Sequence, residues 1–581
     1  GVDLNVVDCS RTSVLGGLLG GHDDNMVFLG PEGSVRLITE VERTSNSKYG
    51  LGEHGEVLPP ALGDKRFLDA YRESVAFLRS QPTGAEEKNY TAAQKGNLVV
   101  AFSRRKEELR ENGMWIPPYS FTVEKITLLA TRSTQHATNH AVAAFFGSPW
   151  RRALVFVHHG AGNDGPSGVY IGDRSQNSLV RLPNPEGLYN GMLYDNTAHM
   201  FPEVTPVSSS KSTQLSRLSA AGTFMGYSGL VPPDRDMVVG ILRRMDAGQA
   251  NVLPFDPRAE STGKERQRTL AASFQAAWTE HVLQHLEPYL GVLATTEGLV
   301  LTGGTALNVK TNWQISQRLG VRVWVPPAPG DNNQGLGSAW TVCPPRRMHP
   351  TSSVPLQYMG LPVRDGADLA NIAKRIGAEW VGVGKESWAV LARVLLEPEA
   401  VLGIMYGRQE FGPRALLHRS LVAYPNTNAV RDKMNDLKGR QFYRPTAPTL
   451  TAQAAKRLFD AKQVDSPFMS FAPPLTAAAC ENLPAICHYD HTARPQIVTN
   501  RDDPWVYGLL QAVGASRGAG GEEVIINTSF NVKGKPIINL VRDAMGMLCG
   551  RPQMDYLFID GWLFSRKNVM RNNKAVCNDF Q

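Results

Sequence analysis

Two histidines stand four positions apart at the head of an apolar run, in residues 136–146 with the sequence HATNHAVAAFF. Residues i and i+4 project from the same face of a helix, so His136 and His140 could chelate one metal ion. Metalloproteases with this spacing carry a glutamate after the first histidine as the base, and here that position holds Ala137. The spacing therefore predicts a metal site and disfavours peptide hydrolysis, while two packing histidines on a half-buried helix remain the alternative.

Three loops at strand ends offer further ligands. His158 and His159 close the apolar run ALVFVHHGAG. Alternate residues of a strand face opposite sides, so only one of these two histidines can join a given site. Asp331 lies in PAPGDNNQGLG, and His22 lies in LGGHDDN with two aspartates. Ligands gathered from a helix and from such loops would leave coordination positions open for a substrate.

A glycine pair in LTGGTALN follows an apolar strand. Gly303 and Gly304 would let backbone amides approach an anion or a nucleoside, and the helix that follows would add its positive N-terminal end. A tight turn explains the pair equally well. Together with the acidic loop that contains Asp331, the motif favours a nucleotide-binding fold of the actin and sugar-kinase kind.

Cationic side chains concentrate in three motifs of the second half, interleaved with Gly, Pro and apolar residues. They are Arg408, Arg414 and Arg419 in YGRQEFGPRALLHRSLVAYP, Lys438, Arg440 and Arg444 in NDLKGRQFYRPTAP, and Arg494 in HTARPQIV. Guanidinium groups bind phosphate oxygens in pairs and keep their charge, so this pattern predicts an anion cleft rather than a solvated face. The motif INTSFN adds neutral polar groups after a buried strand, with an Asx-type turn as the alternative explanation.

Composition excludes several classes of protein. The 581 residues carry 61 Lys and Arg against 54 Asp and Glu, a net charge of +7, and there is no long basic run, so a nucleic-acid partner is not expected. The six cysteines show no CxxC pair, which predicts free thiols in a reducing compartment. No stretch is long and apolar enough for a membrane span, and no basic-then-apolar leader is present, so we expect a soluble cytoplasmic protein.

Strands alternate with helical segments, which predicts an α/β architecture with a mixed sheet. The patterns indicate a hairpin of NMVFL and SVRLITEV, a strand, the histidine helix and a second strand, a loop-rich region at 174–265, and a long helix at 266–289. A Pro- and Ser-rich stretch at 343–355 predicts a boundary between domains at 1–345 and 356–581. The second domain should contain strands AVLGIMYG and EVIINTSFN and a closing hairpin that turns at Asp560 and Gly561.

These motifs, read in order from GGHDDNMVFL to IDGWLF, resemble the NodU/CmcH family of O-carbamoyltransferases, and the resemblance spans nearly the whole chain. The family includes enzymes that carbamoylate tobramycin, cephamycin and ansamycin-type antibiotics. Its first domain resembles the metal-dependent threonylcarbamoyl-transfer enzyme of tRNA modification, with an actin-like and sugar-kinase-like fold. Its second domain resembles YrdC.

The resemblance implies an ATP-dependent reaction divided between the two domains. In the YrdC-like domain, carbamoyl phosphate yields carbamate, which attacks ATP in the presence of Mg²⁺ to give carbamoyladenylate and pyrophosphate. In the first domain, an iron ion and a bound nucleotide would present the carbamoyl group to a hydroxyl of a small natural product. Zinc is the alternative metal, no membrane takes part, and a homodimer is the default expectation for a soluble enzyme.

The family's site residues carry over to the following positions. The metal ligands are His136, His140, His159 and Asp331. The nucleotide-binding residues of the first domain are Gly303, Gly304, Asn308 and Asn332. The catalytic residues are His22 as the base, with Arg414 and Arg444. The carbamoyl phosphate and ATP site comprises Arg414, Arg419, Lys438, Arg440, Arg444, Arg494, Asn527, Thr528, Ser529 and Asn531.

Two positions depart from the family pattern. His159 stands where the family has an aspartate ligand, so the metal could be iron, zinc or copper on ligand chemistry alone. Thr223 stands where the family has a lysine. Residues 44–120 and 174–265 diverge most and are expected to form the acceptor pocket. Two other hypotheses are a tRNA threonylcarbamoyl-type enzyme with both modules in one chain, and a non-catalytic nucleotide sensor with a degenerate metal site.

Overall fold

A computed structural model describes most of the chain. The described residues are 13–18, 25–30, 33–40, 65–80, 98–103, 120–123, 126–162, 164–205, 214–345, 354–364, 369–518, 521–532, 534–572, 577 and 580. The chain forms two compact units. Unit 1 comprises Gly1–Phe224, Pro233–Leu361 and Phe411–Pro413, and unit 2 comprises Met225–Pro232, Pro362–Glu410 and Arg414–Gln581. Both units mix helices with sheets, so the α/β prediction is confirmed.

Unit 1 contains two sheets. The strands of the first are β1 (Ser13–Leu18), β2 (Asn25–Leu29), β3 (Val35–Glu40), β4 (Leu98–Ser103), β5 (Ser120–Val123) and β6 (Ile126–Thr134). The strands of the second are β7 (Arg152–His158), β8 (Ser167–Asp173), β9 (Ser178–Leu182), β10 (Leu299–Thr302) and β11 (Val323–Trp324).

The two sheets of unit 1 follow the same plan. The first has the order β3-β2-β1-β4-β6-β5 and the second has the order β9-β8-β7-β10-β11. In each sheet, three successive strands pair antiparallel, and the first of them also pairs parallel with a later strand, β4 in one sheet and β10 in the other. A further parallel strand follows in both. Each of the five strands of the second sheet therefore has a counterpart in the first sheet, with the same order and the same pairing directions.

Helices of unit 1 connect and cover these strands. They are α1 (Lys65–Ser80), α2 (His136–Gly147), α3 (Gly191–His199), α4 (Gln214–Tyr227), α5 (Arg235–Asp246), α6 (Lys264–Leu286), α7 (Leu290–Leu293), α8 (Val309–Arg318) and α9 (Gln334–Val342). Helix α4 ends within unit 2. The sequence pattern predicts a loop-rich region at 174–265, but its described residues include strand β9, helices α3, α4 and α5, and the start of α6.

Helix α2 lies at the centre of the unit 1 core. Every residue from His136 to Phe146 is shielded from solvent, and the apolar ones pack with residues of α9 and β7. Helix α9 approaches α2 closely because Gly337 has no side chain, and a Cβ there would lie 2.1 Å from the carbonyl oxygen of Asn139. The amide of Asn139 donates to Gln334 and Ser338, both at 3.1 Å, which fixes the register of the two helices.

Unit 2 is built on one sheet of eight strands in the order β12-β19-β18-β13-β14-β17-β15-β16. Its strands are β12 (Glu379–Trp380), β13 (Leu402–Met405), β14 (Arg419–Ala423), β15 (Ala447–Thr451), β16 (Gln496–Val498), β17 (Val524–Ser529), β18 (Tyr556–Ile559) and β19 (Trp562–Ser565). Its helices are α10 (Leu369–Ile376), α11 (Lys385–Leu395), α12 (Asn428–Lys438), α13 (Ala452–Leu458), α14 (Ala477–Asn482), α15 (Pro504–Ser516), α16 (Val541–Gly550) and α17 (Arg566–Asn572). A single apolar core lies on both faces of this sheet.

Most elements expected from periodicity are present. The early hairpin is β2 and β3, the long helix is α6, and the closing hairpin β18–β19 turns at Asp560 and Gly561, which both have positive φ. The cysteine prediction is wrong. Cys480 pairs with Cys487 and Cys549 with Cys577, and the described residues contain no free cysteine. Among the described helices, none combines the length and the apolar character needed to cross a bilayer.

Two glycine substitutions test the packing of α2. We expect Gly337→Ala to lower the free energy of unfolding by about 2 kcal/mol, because its Cβ would collide with the backbone of α2. A Cβ added to Gly240 of α5 would have no atom within 4 Å. Gly240→Ala should therefore raise the free energy of unfolding by up to about 1 kcal/mol. Urea unfolding of both variants would measure this, and equal effects would contradict the close contact between helices.

Candidate functional site

The N-terminal end of helix α2 is capped by a residue from a different element. Gln135, at the N-cap position, makes no side-chain capping bond. Instead the carboxylate of Asp164 accepts hydrogen bonds from the backbone N–H groups of Ala137 at 2.7 Å and Thr138 at 3.2 Å. A carboxylate at this end also interacts favourably with the helix dipole. The first turn, which begins with His136, is thereby fixed to the loop between β7 and β8.

The C-terminal end of the same helix is held by Arg174, which follows β8. Its guanidinium donates to a set of carbonyl oxygens at and just beyond the helix end, where carbonyls lack partners within the helix. The acceptors are the carbonyls of Phe145, Phe146, Ser148 and Trp150, at 2.7–3.3 Å. Burial lowers the pKa of Arg174 to about 10, so the side chain remains charged at neutral pH and interacts favourably with the negative end of the helix.

Three imidazoles and one carboxylate converge next to the first turn of α2. The ring of His136 has its centroid 4.8 Å from that of His140 and 4.6 Å from that of His159. Each of these three buried residues offers one ring nitrogen as a ligand atom, and the three nitrogens lie within 4.8 Å of one another. Oδ1 of Asp331 lies 3.3 Å from Nε2 of His136 and 3.4 Å from Nε2 of His140. The structure thus brings together all four residues that the sequence nominated as metal ligands.

Hydrogen bonding sets the orientation of His140. Its Nδ1 donates to Oδ1 of Asn333 at 2.8 Å, so Nε2 is left with its lone pair directed towards the cluster. Nε2 of His140 and Nε2 of His159 are buried, and neither has a hydrogen-bond partner among the described residues. Two buried acceptors without donors, an oriented imidazole and a nearby carboxylate form a donor set suited to a divalent transition metal ion.

Burial also keeps the imidazoles of His140 and His159 neutral. Burial lowers the pKa of His140, and the neighbouring charge of His136 lowers it further against the opposing effect of Asp331. Burial, together with the charges of His140 and His136, lowers the pKa of His159 to about 2. The neutral ring is the form that ligates metal ions.

His158 faces the other side of strand β7, as the alternation of side chains predicts. Its Nε2 donates to the carbonyl of Tyr189 at 2.7 Å, and its ring stacks on Trp278 with centroids 5.6 Å apart. Burial lowers the pKa of His158 to about 4. His158 therefore packs within the core, and His159 alone of this pair joins the cluster.

Gly303, the first residue of the glycine pair in unit 1, packs against the end of strand β7. Gly303 has a φ of +90°, and a Cβ there would meet the carbonyl oxygen of His158 at 2.3 Å. Its N–H donates to the carbonyl of Pro329 at 2.7 Å. The position therefore requires glycine for chain packing. Gly304 differs because the space around its Cβ position is open to 4 Å.

The other residues predicted to bind the nucleotide make hydrogen bonds to residues of unit 1. Asn308 caps α8 by accepting from the N–H of Thr311 at 3.2 Å, and its amide donates to Gln275 at 3.1 Å. The amide of Asn332 donates to Glu40 at 3.3 Å. Thr223, which replaces the family lysine, is buried and donates to the carbonyl of Ser219 at 3.0 Å. His22, the predicted base, lies outside the described residues.

A second cluster, in unit 2, consists of four arginines that lie close enough for their charges to affect one another. Burial lowers the pKa of Arg494 well below its ordinary value, and the charges of Arg414, Arg444 and Arg440 lower it further. Burial and the charge of Arg444 lower the pKa of Arg440 to about 9. Nε of Arg494 is buried and has no hydrogen-bond partner in the described part of the chain. These four guanidinium groups, two of them desolvated, have the charge and the donors to bind a multiply charged anion.

Asn435, which the motif analysis missed, positions two of these arginines. Its Oδ1 accepts from Nε of Arg440 at 2.5 Å, and its Nδ2 donates to the carbonyls of Phe442 at 3.3 Å and Arg444 at 3.2 Å. Nη1 of Arg440 also donates to Thr528 at 3.3 Å. One amide thus orders the loop that carries both arginines. The only sequence signal was its place one turn before the Lys438–Arg440 motif.

Two predicted anion ligands have structural roles instead. The guanidinium of Arg419 is fully buried and donates to Asn539 at 2.9 Å and to carbonyl oxygens of the preceding loop. The ammonium of Lys438 donates to Ser529 and Asn531, with four contacts between 2.5 and 3.0 Å. Motif membership cannot distinguish a cation that binds a ligand from a cation that organises the loop around it.

The NTSFN residues extend from strand β17 towards the arginines. The amide of Asn527 donates to the carbonyl of Ala415 at 2.8 Å, which ties the strand to the Arg414 loop. The hydroxyl of Ser529 donates to Asn531 at 2.7 Å, and Asn531 in turn donates to the carbonyl of Lys535 at 2.5 Å. These bonds support both explanations of the motif, since a local turn places polar groups beside the cluster.

Comparison with known families decides the broader identity. The family described as "Carbamoyltransferase N-terminus" matches residues 85–340, and "Carbamoyltransferase C-terminus" matches residues 393–566. The chain belongs to the carbamoyltransferase family. This carbamoyltransferase is therefore an enzyme, and the family resemblance read from the motifs is confirmed.

Named relatives agree with this assignment. The 3'-hydroxymethylcephem-O-carbamoyltransferase of Streptomyces clavuligerus is 26% identical, over 72% of this chain and 76% of that protein. Nodulation protein U of Rhizobium tropici is 26% identical, over 76% of this chain and 77% of that protein. An uncharacterised protein of Synechocystis is 26% identical over 95% of this carbamoyltransferase and 96% of its own length.

Solved structures give weaker likenesses. Full-length HypF in its phosphate- and nucleotide-bound form is 13% identical, with a TM-score of 0.30, over 57% of this chain and 46% of that chain. Scores this low carry no argument about the fold.

The capping role of Asp164 gives a direct prediction. Asp164→Ala should lower the free energy of unfolding by about 1 kcal/mol, because two buried N–H groups of α2 lose their acceptor. Asp164→Asn keeps one acceptor oxygen and should recover part of the loss. Guanidinium unfolding of the two variants would measure this, and an unchanged midpoint for Asp164→Ala would show that Asp164 is not the cap.

Proposed function

We propose that this carbamoyltransferase is an ATP-dependent O-carbamoyltransferase whose two units carry successive steps. Unit 2 would hydrolyse carbamoyl phosphate with one water molecule to carbamate and phosphate, and carbamate would attack the α-phosphate of ATP, giving carbamoyladenylate and releasing pyrophosphate. In unit 1 an acceptor hydroxyl would attack the carbamoyl carbon, AMP would leave, and a base would take the hydroxyl proton. His22 is our candidate for that base.

The observation that carries the proposal is the cluster of His136, His140, His159 and Asp331. Buried nitrogen donors with a carboxylate beside them suit iron or zinc. The bound ion would supply Lewis-acid polarisation of the carbamoyl oxygen. Asn333 orients His140 for this role, and Asp164 holds the helix turn from which two of the ligands project.

The arginine cluster supports the first step. The charges of Arg414, Arg440 and Arg444 act unfavourably on the buried guanidinium of Arg494, and a bound polyphosphate would offset this effect. Their guanidinium groups would bind phosphate oxygens and offset the charge that develops as pyrophosphate leaves. The ordering of Arg440 and Arg444 by Asn435 avoids the entropic cost of assembling the site on binding.

The acceptor is inferred by analogy with the relatives. Two of them are named for carbamoylation at a hydroxymethyl group of a cephem. We therefore propose a hydroxyl of a small natural product as the acceptor. The matching strand order of the two unit 1 sheets supports the actin-like and sugar-kinase-like assignment of that unit, and we propose a YrdC-like assignment for unit 2 on the motif resemblance.

Metal analysis tests the unit 1 site. The chain loaded with Fe²⁺ or Zn²⁺ should retain one ion after gel filtration, and His136→Ala and His140→Ala should each weaken metal binding by more than about 10-fold, because a first ligand is lost. His199→Ala is the matched control, since His199 is half-buried and faces only Asp195 among the described residues. Retention of the ion by both ligand variants would exclude this site.

Pyrophosphate release tests the unit 2 site. With ATP, carbamoyl phosphate and Mg²⁺, Arg494→Met should slow pyrophosphate release by about 10²–10³-fold, because a buried donor to the developing charge is removed. Arg542→Met is the control, since Arg542 lies exposed on α16. Release that does not depend on carbamoyl phosphate, or that survives in Arg494→Met, would contradict the assignment.

A further inference from the structure

A second group of soft metal ligands lies in unit 2, apart from the arginines. Cys480 belongs to α14, Cys487 follows it by seven residues, and the two form a disulfide with their Cα atoms 5.2 Å apart. Nδ1 of His491 lies 3.8 Å from Sγ of Cys487. The donor atoms of all three residues lie within 4.8 Å of one another. The cysteines are half-buried and His491 is exposed, so a small reductant and an ion can reach them.

These distances are close to those of a zinc site. With Zn–S bonds of about 2.3 Å and Zn–N bonds of about 2.1 Å, a tetrahedral ion holds two sulfurs about 3.8 Å apart and a sulfur and a nitrogen about 3.6 Å apart. The nitrogen of His491 already lies near that separation from Cys487. The two sulfurs must move apart once the bond between them is broken, and the donor atoms of Cys480 and His491 lie within 4.8 Å of each other before that movement.

The backbone holds His491 in position. Its φ is +56°, a left-handed conformation that is uncommon outside glycine and asparagine. The N–H of His491 donates to the carbonyl of His488 at 2.9 Å, and its carbonyl accepts from the N–H of Leu475 at 2.8 Å. The N–H of His488 donates to the carbonyl of Thr492 at 3.1 Å. The turn that presents the imidazole is therefore fixed by bonds that do not involve the disulfide.

We propose that Cys480, Cys487 and His491 form a redox-gated site for zinc or a similarly soft divalent ion. A thiol reductant cleaves the Cys480–Cys487 bond by exchange, giving two cysteine thiols and the oxidised reductant. Zn²⁺ then binds both sulfurs as thiolates and the neutral Nδ1 of His491, with two protons released to solvent and the fourth position open to water. In the oxidised chain the sulfurs are bonded to each other and the site is closed. This site shares no residue with either candidate site above.

Cobalt binding tests the proposal on the full chain. The protein is reduced with dithiothreitol, freed of it by anaerobic gel filtration and titrated with Co²⁺, beside an untreated sample. We expect the reduced chain to bind one more equivalent and to show thiolate-to-cobalt charge-transfer absorption. The histidine cluster of unit 1 contains no sulfur, so it cannot give that band. Absence of the band after reduction would overturn the proposal.

Variants assign the extra ion to these residues. Cys480→Ser and Cys487→Ser should abolish the additional equivalent, and His491→Asn should weaken its binding by at least about 10-fold. Cys549→Ser is the matched control, because it removes the other described disulfide and should leave the charge-transfer band in place. A band that persists in Cys480→Ser, or that disappears in Cys549→Ser, would place the ion elsewhere.

Discussion

A buried helix whose two ends are satisfied by side chains of one hairpin supports the candidate metal site. Helix α2 is shielded from solvent over 136–146, so its terminal N–H and C=O groups cannot be hydrated, and each one left unpaired would cost about 1–3 kcal/mol. Two residues of the β7–β8 hairpin pair these groups. Asp164, in the connection between the strands, accepts from an N–H at one end of α2, and Arg174, after β8, donates to a carbonyl at the other end. His159 follows β7 on the same hairpin. The element that supplies the third imidazole therefore also fixes the helix that supplies the first two.

The arginine cluster follows a related rule, in which the arginines proposed to bind an anion lie on loops that other cations and amides organise. Arg419 and Lys438 use their donors on backbone carbonyls and neighbouring side chains, and in doing so they shape the loops on which Arg414 and the NTSFN residues lie. Asn435 does the same for Arg440 and Arg444. Arg440 and Arg494 are desolvated, and the neighbouring charges of Arg414 and Arg444 favour binding of an anion beside them.

The sequence predicted those features that depend on local pattern. Helical spacing of His136 and His140 predicted a metal site, and strand alternation allowed only one of His158 and His159 to join it. The family resemblance then nominated His159 and Asp331 as the other ligands. Asp164 and Arg174 could not be predicted, because a cap supplied from another element leaves no mark beside the helix. Arg419 and Lys438 were assigned to ligand binding because a motif records charge and not hydrogen-bond partners. The repeated strand order of unit 1 could not be predicted, because the two sheets share a topology without sharing repeated residues. The disulfides could not be predicted either, because their cysteines lack a short spacing that would indicate a pair.

The central claim is that one metal ion is held by the residues that helix α2, the end of β7 and the Asp331 loop bring together. Anomalous diffraction at the iron and zinc absorption edges, on crystals of the metal-loaded chain, tests this most directly. The account predicts one peak at about 2.0–2.2 Å from a nitrogen of each of His136, His140 and His159 and from an oxygen of Asp331. A peak elsewhere in unit 1, or none within reach of these four side chains, would contradict it.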